Sequence, residues 1–371
     1  MPDGTPFTVR QRRLTRAVWQ LNGIGDPIKE RRGYSLVTGE MTMRVMILAM
    51  VLIGTLTDAS PATAREFRLG LITPPTHLWT EAAIRFGEAL EAATEGEHTL
   101  AVFPARQLGT EAQLLQLLQT GALDFAILTI SEVSNRLPQF GAFYAPYLVA
   151  DVGEAAALLR GSTAQRMLDA LPQELGVFGL GYCLAGMRQI LSRDALAAPT
   201  DLGGQKIRIT PFVPLRDFYQ LLGAAPTPMP LASVYDALTN GQIDAIDMDL
   251  EAIWKVRYYE SADTLMLSNH MMFPSVGVIS GRTWLRLSEA DRELVGRLMR
   301  THLDRVMDEY VEQERQWEVD LRGAGVDVVD VGAASFGSAI AEWEALWLPQ
   351  APVLATLKAE AAANADRSRP R

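Results

Sequence analysis

The chain has 371 residues, a formal net charge of −10, 21% charged residues and 48% hydrophobic residues. That length can build two packed lobes, and the acidic balance argues against a nucleic-acid binder, which needs a basic face for phosphate. The single cysteine, Cys183, rules out an intrachain disulfide and a cysteine-built metal cluster; inside the apolar run Phe178–Leu184 it reads as a small buried hydrophobe.

Residues 1–42 are polar and basic and carry no periodicity. They read as a non-native or disordered extension, with the natural start at Met41 or Met43. The pair Arg12-Arg13 lies too far ahead of the next apolar run to read as a twin-arginine signal. Residues 43–64 have the parts of a secretory signal peptide: Arg44, the apolar stretch Val45–Leu56, and the small-residue site Ala62-Thr-Ala64. The stretch is shorter than the roughly 20 residues that span a bilayer. No cysteine follows it for a lipid anchor. The expected mature N-terminus is near Arg65, and the expected location is the periplasm. Because the first 64 residues are net basic, the mature chain is more acidic than the whole.

Residues 65–73 form a short apolar strand that must end at Pro74-Pro75, since proline cannot donate to a ladder. Thr80–Ala93 has helical spacing, Thr99–Pro104 reads as a strand, and Glu111–Gln119 as a helix with Gly121 as its C-cap. Leu123–Ile130 is mainly apolar, as in a strand inside a parallel sheet. A helix near 152–170, a strand at 176–184, a strand at Lys206–Thr210 and a helix near 213–222 follow. Residues 226–230, bounded by prolines, read as a turn. Val234–Leu238 begins a helix stopped by Asn240-Gly241, and Ile243–Met248 is a strand. Strand–helix alternation in two blocks predicts an α/β fold with mostly parallel sheets. Ser288 caps a helical stretch from Glu289 to Leu321 that is long for a globular domain.

Enzyme signatures are missing: there is no G-x-S-x-G, no P-loop and no H-E-x-x-H, and His77, His98, His270 and His302 lack ligand spacing. Asp247-Met-Asp249-Leu-Glu251 would place its acids on one face of a strand, where they could hold a cation, touch a ligand or face solvent. Arg188, after an apolar strand, and Arg208, in the middle of Lys206-Ile-Arg-Ile-Thr210, must each face water, a partner acid or a ligand carboxylate. The planar guanidinium fork suits the last of these.

Several ordered stretches resemble the substrate-binding proteins of TRAP (tripartite ATP-independent periplasmic) transporters, which include C4-dicarboxylate and sialic acid receptors. They are Phe103–Gly109, Gln116–Phe125, Gly186–Gln189, Asp201–Ile209, Leu222–Met229, Ser233–Leu238, Gly241–Asp244, Tyr258–Glu260 and Ser268–His270. The resemblance runs from about Glu66 to about Arg322. It implies a two-lobed α/β solute-binding protein with a long helix spanning both lobes. Lobe I would comprise 65–185 plus 273–313, and lobe II 186–272 plus 314–350, with 351–371 as a tail. The implied role is not enzymatic. The protein would capture a small carboxylate solute in a closing cleft and deliver it, as a monomer without cofactors or nucleic acid, to TRAP permease subunits in the membrane. An exported enzyme on the same scaffold and a ligand-sensing domain are the alternatives.

The resemblance puts the main carboxylate clamp on Arg208 and a second pocket arginine on Arg188. Looser pocket positions are Trp79, Thr129, Phe212 and Leu231. The family usually reads D-G-Q-E-N-P where this chain has Asp244-Ala-Ile-Asp-Met-Asp249. Met248 thus replaces a pocket asparagine, Asp247 shortens an acid, and Asp249 adds one. These departures favour a monocarboxylate with an apolar or aromatic portion over sialic acid or a simple C4-dicarboxylate.

Overall fold

The computed structural model describes residues 64–368. The signal peptide up to Thr63, the start site and the arginine pair therefore lie outside the described residues. No helix among the described residues is long and apolar enough to cross a membrane.

Among the described residues, eleven strands form two sheets. They are β1 (Arg65–Gly70), β2 (His98–Phe103), β3 (Phe125–Thr129), β4 (Val177–Met187), β5 (Gln189–Ser192), β6 (Lys206–Ile209), β7 (Ala225–Pro228), β8 (Ala245–Met248), β9 (Thr264–Leu267), β10 (Met272–Ser280) and β11 (Asp327–Asp330). The first sheet has the order β2-β1-β3-β10-β4 and the second β11-β9-β5-β8-β6-β7. The chain crosses between them three times: at Arg188 between β4 and β5, at residues 268–271 between β9 and β10, and through the long helix that separates β10 from β11.

Both sheets are mixed, which corrects the expectation of mostly parallel pairing. β10 runs antiparallel to β3 and β4, and β5 antiparallel to β8 and β9. β3 is apolar up to Thr129 because both of its faces are buried, with a parallel partner on one side and an antiparallel one on the other. The residues read as a turn around Pro226 form edge strand β7, parallel to β6. An edge position tolerates proline because only one side of the strand must pair. The helix expected near 152–170 is broken into Val152–Leu159, Ser162–Met167 and a 3-10 turn at Leu168–Ala170, and a further short helix, Leu171–Leu175, follows it. Gly161 and Pro172 supply the interruptions.

Local chemistry sets the other elements. Thr110 and Gln113 make a reciprocal capping box at the start of helix Glu111–Thr120, and Gly121 ends it with φ 75°. Ser288 accepts from Asp291 N and starts helix Glu289–Arg322, 34 residues long, as its sequence predicts. This helix packs on both β4 and helix Leu78–Ala93. Residues 353–368, read as part of a tail, form a helix on helix Val152–Leu159. Its Glu360 accepts from Ser162 N (2.9 Å) and Thr163 N (3.2 Å), completing a helix start that Gly161 cannot cap.

The crossings are laced together. Arg188 N donates to Met271 O (2.7 Å), and the Gln189 side chain accepts from Ser268 N (2.8 Å) and Asn269 N (3.0 Å). Gly186 precedes the first crossing with φ 61°. A Cβ there would approach Glu314 Oε1 of the long helix to 3.0 Å, so both conformation and space call for glycine.

Candidate functional site: a cavity between two sheets

Turns that follow the carboxyl ends of β1, β2 and β3 face turns that follow β6 and β8, the usual place for a ligand in α/β folds. Between them lies a cavity of about 480 Å³. One wall includes Thr73, Trp79, Glu111, Thr129 and Ser131; the other includes Arg208, Leu231, Met248, Asp249 and Tyr258, with Arg188 and Phe273 from the crossings. Asn135 Nδ2 donates to Pro211 O (3.2 Å) and joins the two walls.

The cavity thus gathers Arg208, Arg188, Met248, Asp249, Leu231, Trp79 and Thr129 from distant parts of the sequence. Two expected residues stand behind its wall. Phe212, 4% exposed, packs on Tyr144 with ring centroids 4.3 Å apart. Asp247 is fully buried and serves as a charge partner. The expected row of three acids also fails. The strand ends at Met248, and Asp249 turns to cap helix Leu250–Lys255 by accepting from Ala252 N (2.8 Å). Each acid then has its own donors. Glu251 accepts from Leu78 N (3.0 Å), Lys255 Nζ (2.9 Å) and the Tyr310 hydroxyl. Among the described residues, no group of three or more His, Cys, Asp or Glu converges to hold a metal ion.

The two arginines differ in their surroundings. Arg188, 2% exposed, meets Asp247 Oδ1 at 2.5 Å and Asp249 Oδ2 at 3.2 Å, and lies 4.5 Å over the Phe273 ring. Burial works against its charge, but the two aspartates outweigh burial and hold its pKa above the ordinary value. Arg208, also 2% exposed, donates only to backbone carbonyls: Nε and Nη2 to Met229 O (3.1 and 2.9 Å), Nη1 to Asp247 O (3.5 Å). No carboxylate pairs with it among the described residues. Burial, reinforced by the neighbouring Arg188 charge, pulls its pKa down to about 10.

Behind Arg188, Asp247 Oδ2 accepts from Tyr219 OH (2.9 Å) and lies 3.1 Å from His270 Nε2. Burial pushes the Asp247 carboxyl up, but Arg188 and His270 prevail and hold it at about 2. His270 Nδ1 is 2.8 Å from Ser268 Oγ, and its ring stacks on Phe218 at an interplanar angle of 9°. Cys183 is buried 2.7 Å from Ser275 Oγ, with burial pushing its thiol up to about 12, which fits an inert core residue.

Glu111, Tyr258 and Phe273 join the site without having been predicted. Glu111 accepts from Thr129 N (2.6 Å) and Thr129 Oγ1 (2.8 Å), yet burial lifts its carboxyl to about 7. Its position in the first turn of a capped helix was the available signal, but that position alone reads as a surface acid.

A second buried acid gives a stability test. Glu314 accepts from Met187 N (3.0 Å) at the first crossing, and burial raises its carboxyl to about 8, with Asp249, Asp151 and Glu318 adding to the rise. An acid whose pKa rises on folding destabilises the fold once it must ionise. That penalty is absent below about 4.5 and full above about 8. Glu314→Gln keeps an acceptor and removes the charge. Its melting temperature should exceed that of the wild type by several degrees at pH 9, from an upper bound of about 5 kcal/mol, and by little at pH 4.5. Thermal unfolding across that range checks this; a gain independent of pH would contradict it.

Comparison with known proteins agrees with this architecture. The family model described as bacterial extracellular solute-binding protein, family 7, matches residues 69–349. A solute-binding protein of Roseobacter denitrificans is 28% identical over 284 residues, covering 76% of this chain and 87% of the relative. A sialic acid-binding periplasmic protein of Vibrio cholerae is 25% identical over 270 residues, covering 73% and 84%. A TRAP periplasmic solute-binding protein from Bradyrhizobium, solved with α/β-D-galacturonate, superposes with a TM-score of 0.73 at 29% identity, covering 79% of this chain and 99% of that one. The two-sheet fold, the long helix and a match over most of the described residues place this chain in family 7 of the bacterial extracellular solute-binding proteins, as the TRAP resemblance in its sequence implied.

Proposed function

We propose that this protein is an exported, periplasmic receptor that captures a small monocarboxylate between its lobes and hands it to a TRAP-type membrane permease. One observation carries the reading: Arg208 is a buried guanidinium on the cavity wall with no anionic partner among the described residues. A buried charge is costly unless paired, and a bidentate carboxylate is the matching partner. Arg188 is already neutralised and Arg106, which also lines the cavity, is only partly buried, so among the described residues Arg208 is the buried lining arginine left without an anion. Relatives named for sialic acid and D-galacturonate fit an acidic solute. Trp79, Met248, Tyr258 and Phe273 offer apolar surface to the body of the solute, while Thr129, Ser131 and Glu111 offer polar groups. This narrows the expectation of an apolar portion: one side of the solute is apolar and the other polar.

The lobes would be 65–185 plus 273–313 and 186–272 plus 314–350, moving about the laced crossings. A ligand touching both walls shifts the open–closed equilibrium only by its differential affinity for the closed form. Closure excludes water and strengthens the arginine–carboxylate contact. Calorimetry with D-galacturonate and D-galactose tests the requirement for an acid. Binding of the acid without the neutral sugar is the expected result; equal affinities would contradict it.

A further inference from the structure

We propose that Asp249 is a charge filter: by engaging Arg188 it withholds the second cavity arginine from the ligand and restricts the site to monocarboxylates. The proposal rests on the reading of Arg208 as the carboxylate site.

Each side-chain nitrogen of Arg188 already has an acceptor. Nε binds Asp247 Oδ1 (2.5 Å), Nη2 binds Asp247 O, and Nη1 binds Asp249 Oδ2 (3.2 Å). One of its faces is covered by Phe273. Asp247 would suffice to balance the arginine. Asp249 is a second acid on the same guanidinium, and unlike Asp247 it lines the cavity. Its other oxygen is tied to Ala252 N (2.8 Å), which fixes the carboxylate toward Arg188. With both aspartates ionised, this cluster carries one net negative charge, while Arg208 carries one positive charge. A monoanion sends its carboxylate to Arg208. The second carboxylate of a dianion finds Arg188 already taken and meets Asp249 beside it, while the other lining arginine without an ion pair among the described residues, Arg106, follows β2 on the opposite wall, where its charge acts on Glu111. Like charges held close in a desolvated site discriminate strongly.

Asp249→Asn tests this without removing the helix cap, because asparagine also accepts from the backbone at that position. The probes are matched by size: D-galacturonate, with one carboxylate, and galactarate, with two. Wild type should bind galacturonate and reject galactarate. In Asp249→Asn the galactarate-to-galacturonate affinity ratio should rise at least tenfold. If that variant fails to fold, Asp249→Ser, which also caps, is read in the same way. An unchanged ratio, with galacturonate binding still dependent on Arg208, would overturn the filter alone, as would equal wild-type affinity for both acids. Failure of the wild type to bind galacturonate, or binding that survives loss of Arg208, would overturn the carboxylate reading and the filter together.

Discussion

Arg208→Met is expected to abolish capture of the acid while leaving the ligand-free protein about as stable as the wild type. Folding depresses the Arg208 pKa from 12.5 to about 10, so the folded state disfavours its charge. For a base, that penalty is full at any pH below the folded value, fades as pH rises from there, and is gone above the unfolded value. At neutral pH it amounts to about 3 kcal/mol. Methionine removes the charge and fills much of the same space. Its cost is the loss of the donors to Met229 O, about 1–3 kcal/mol for a buried acceptor left unmade. The two effects offset each other. Binding has no such offset, since removing one member of a desolvated charge pair costs about 2–5 kcal/mol, or roughly 30-fold to several thousand-fold in Kd. Calorimetry with D-galacturonate reads the binding, and melting curves read the fold. Ligand should raise the melting temperature of the wild type by mass action and leave that of the variant unmoved. Affinity retained within a few-fold would refute the role of Arg208.

Asp247→Ala should damage the fold itself. Its carboxylate balances Arg188 and accepts from Tyr219 OH and His270, all at 2% exposure or less. Removing it strands buried donors and leaves Arg188 to Asp249 alone, which costs about 3–5 kcal/mol. The pH dependence gives a signature. The carboxyl falls from 3.8 to about 2 on folding. An acid with a depressed folded pKa stabilises above its unfolded value, and that contribution, about 2 kcal/mol here, is lost as pH falls from about 4 towards 2. Urea unfolding at pH 7 and pH 3 should show the gap between wild type and Asp247→Ala narrowing at the lower pH. A gap that is small at pH 7, or that stays constant, would contradict this assignment.

Much of the fold was legible because it rests on local chemistry. The capped helices at Thr110 and Ser288 and the apolar run at residues 125–128 each follow from neighbours in sequence, whereas the first strand ends at Gly70, short of the expected stop at Pro74-Pro75. The two cavity arginines were legible because a guanidinium inside or after an apolar strand needs a partner. What failed depends on contacts distant in sequence. The antiparallel placement of β10 between β3 and β4 is set by where the chain crosses between sheets, which strand periodicity does not encode. β5 was missed because β4 runs into it through Arg188 with no turn residue between them. The alternation of Asp247, Asp249 and Glu251 suggested one face, but Asp249 begins a helix and sends the acids to different partners. Phe212 follows Arg208 closely, yet its ring turns into the core against Tyr144. Phe273 reaches the site only because the second crossing returns beside the first.

The most direct test of the central claim is a crystal structure of the protein with D-galacturonate, or with an acid it retains through purification, in the cavity. The expected result is both carboxylate oxygens within about 3.2 Å of Arg208 nitrogens, with Arg188 still paired to Asp247 and Asp249. A carboxylate bound elsewhere, with Arg208 still donating only to Met229 O and Asp247 O, would contradict it.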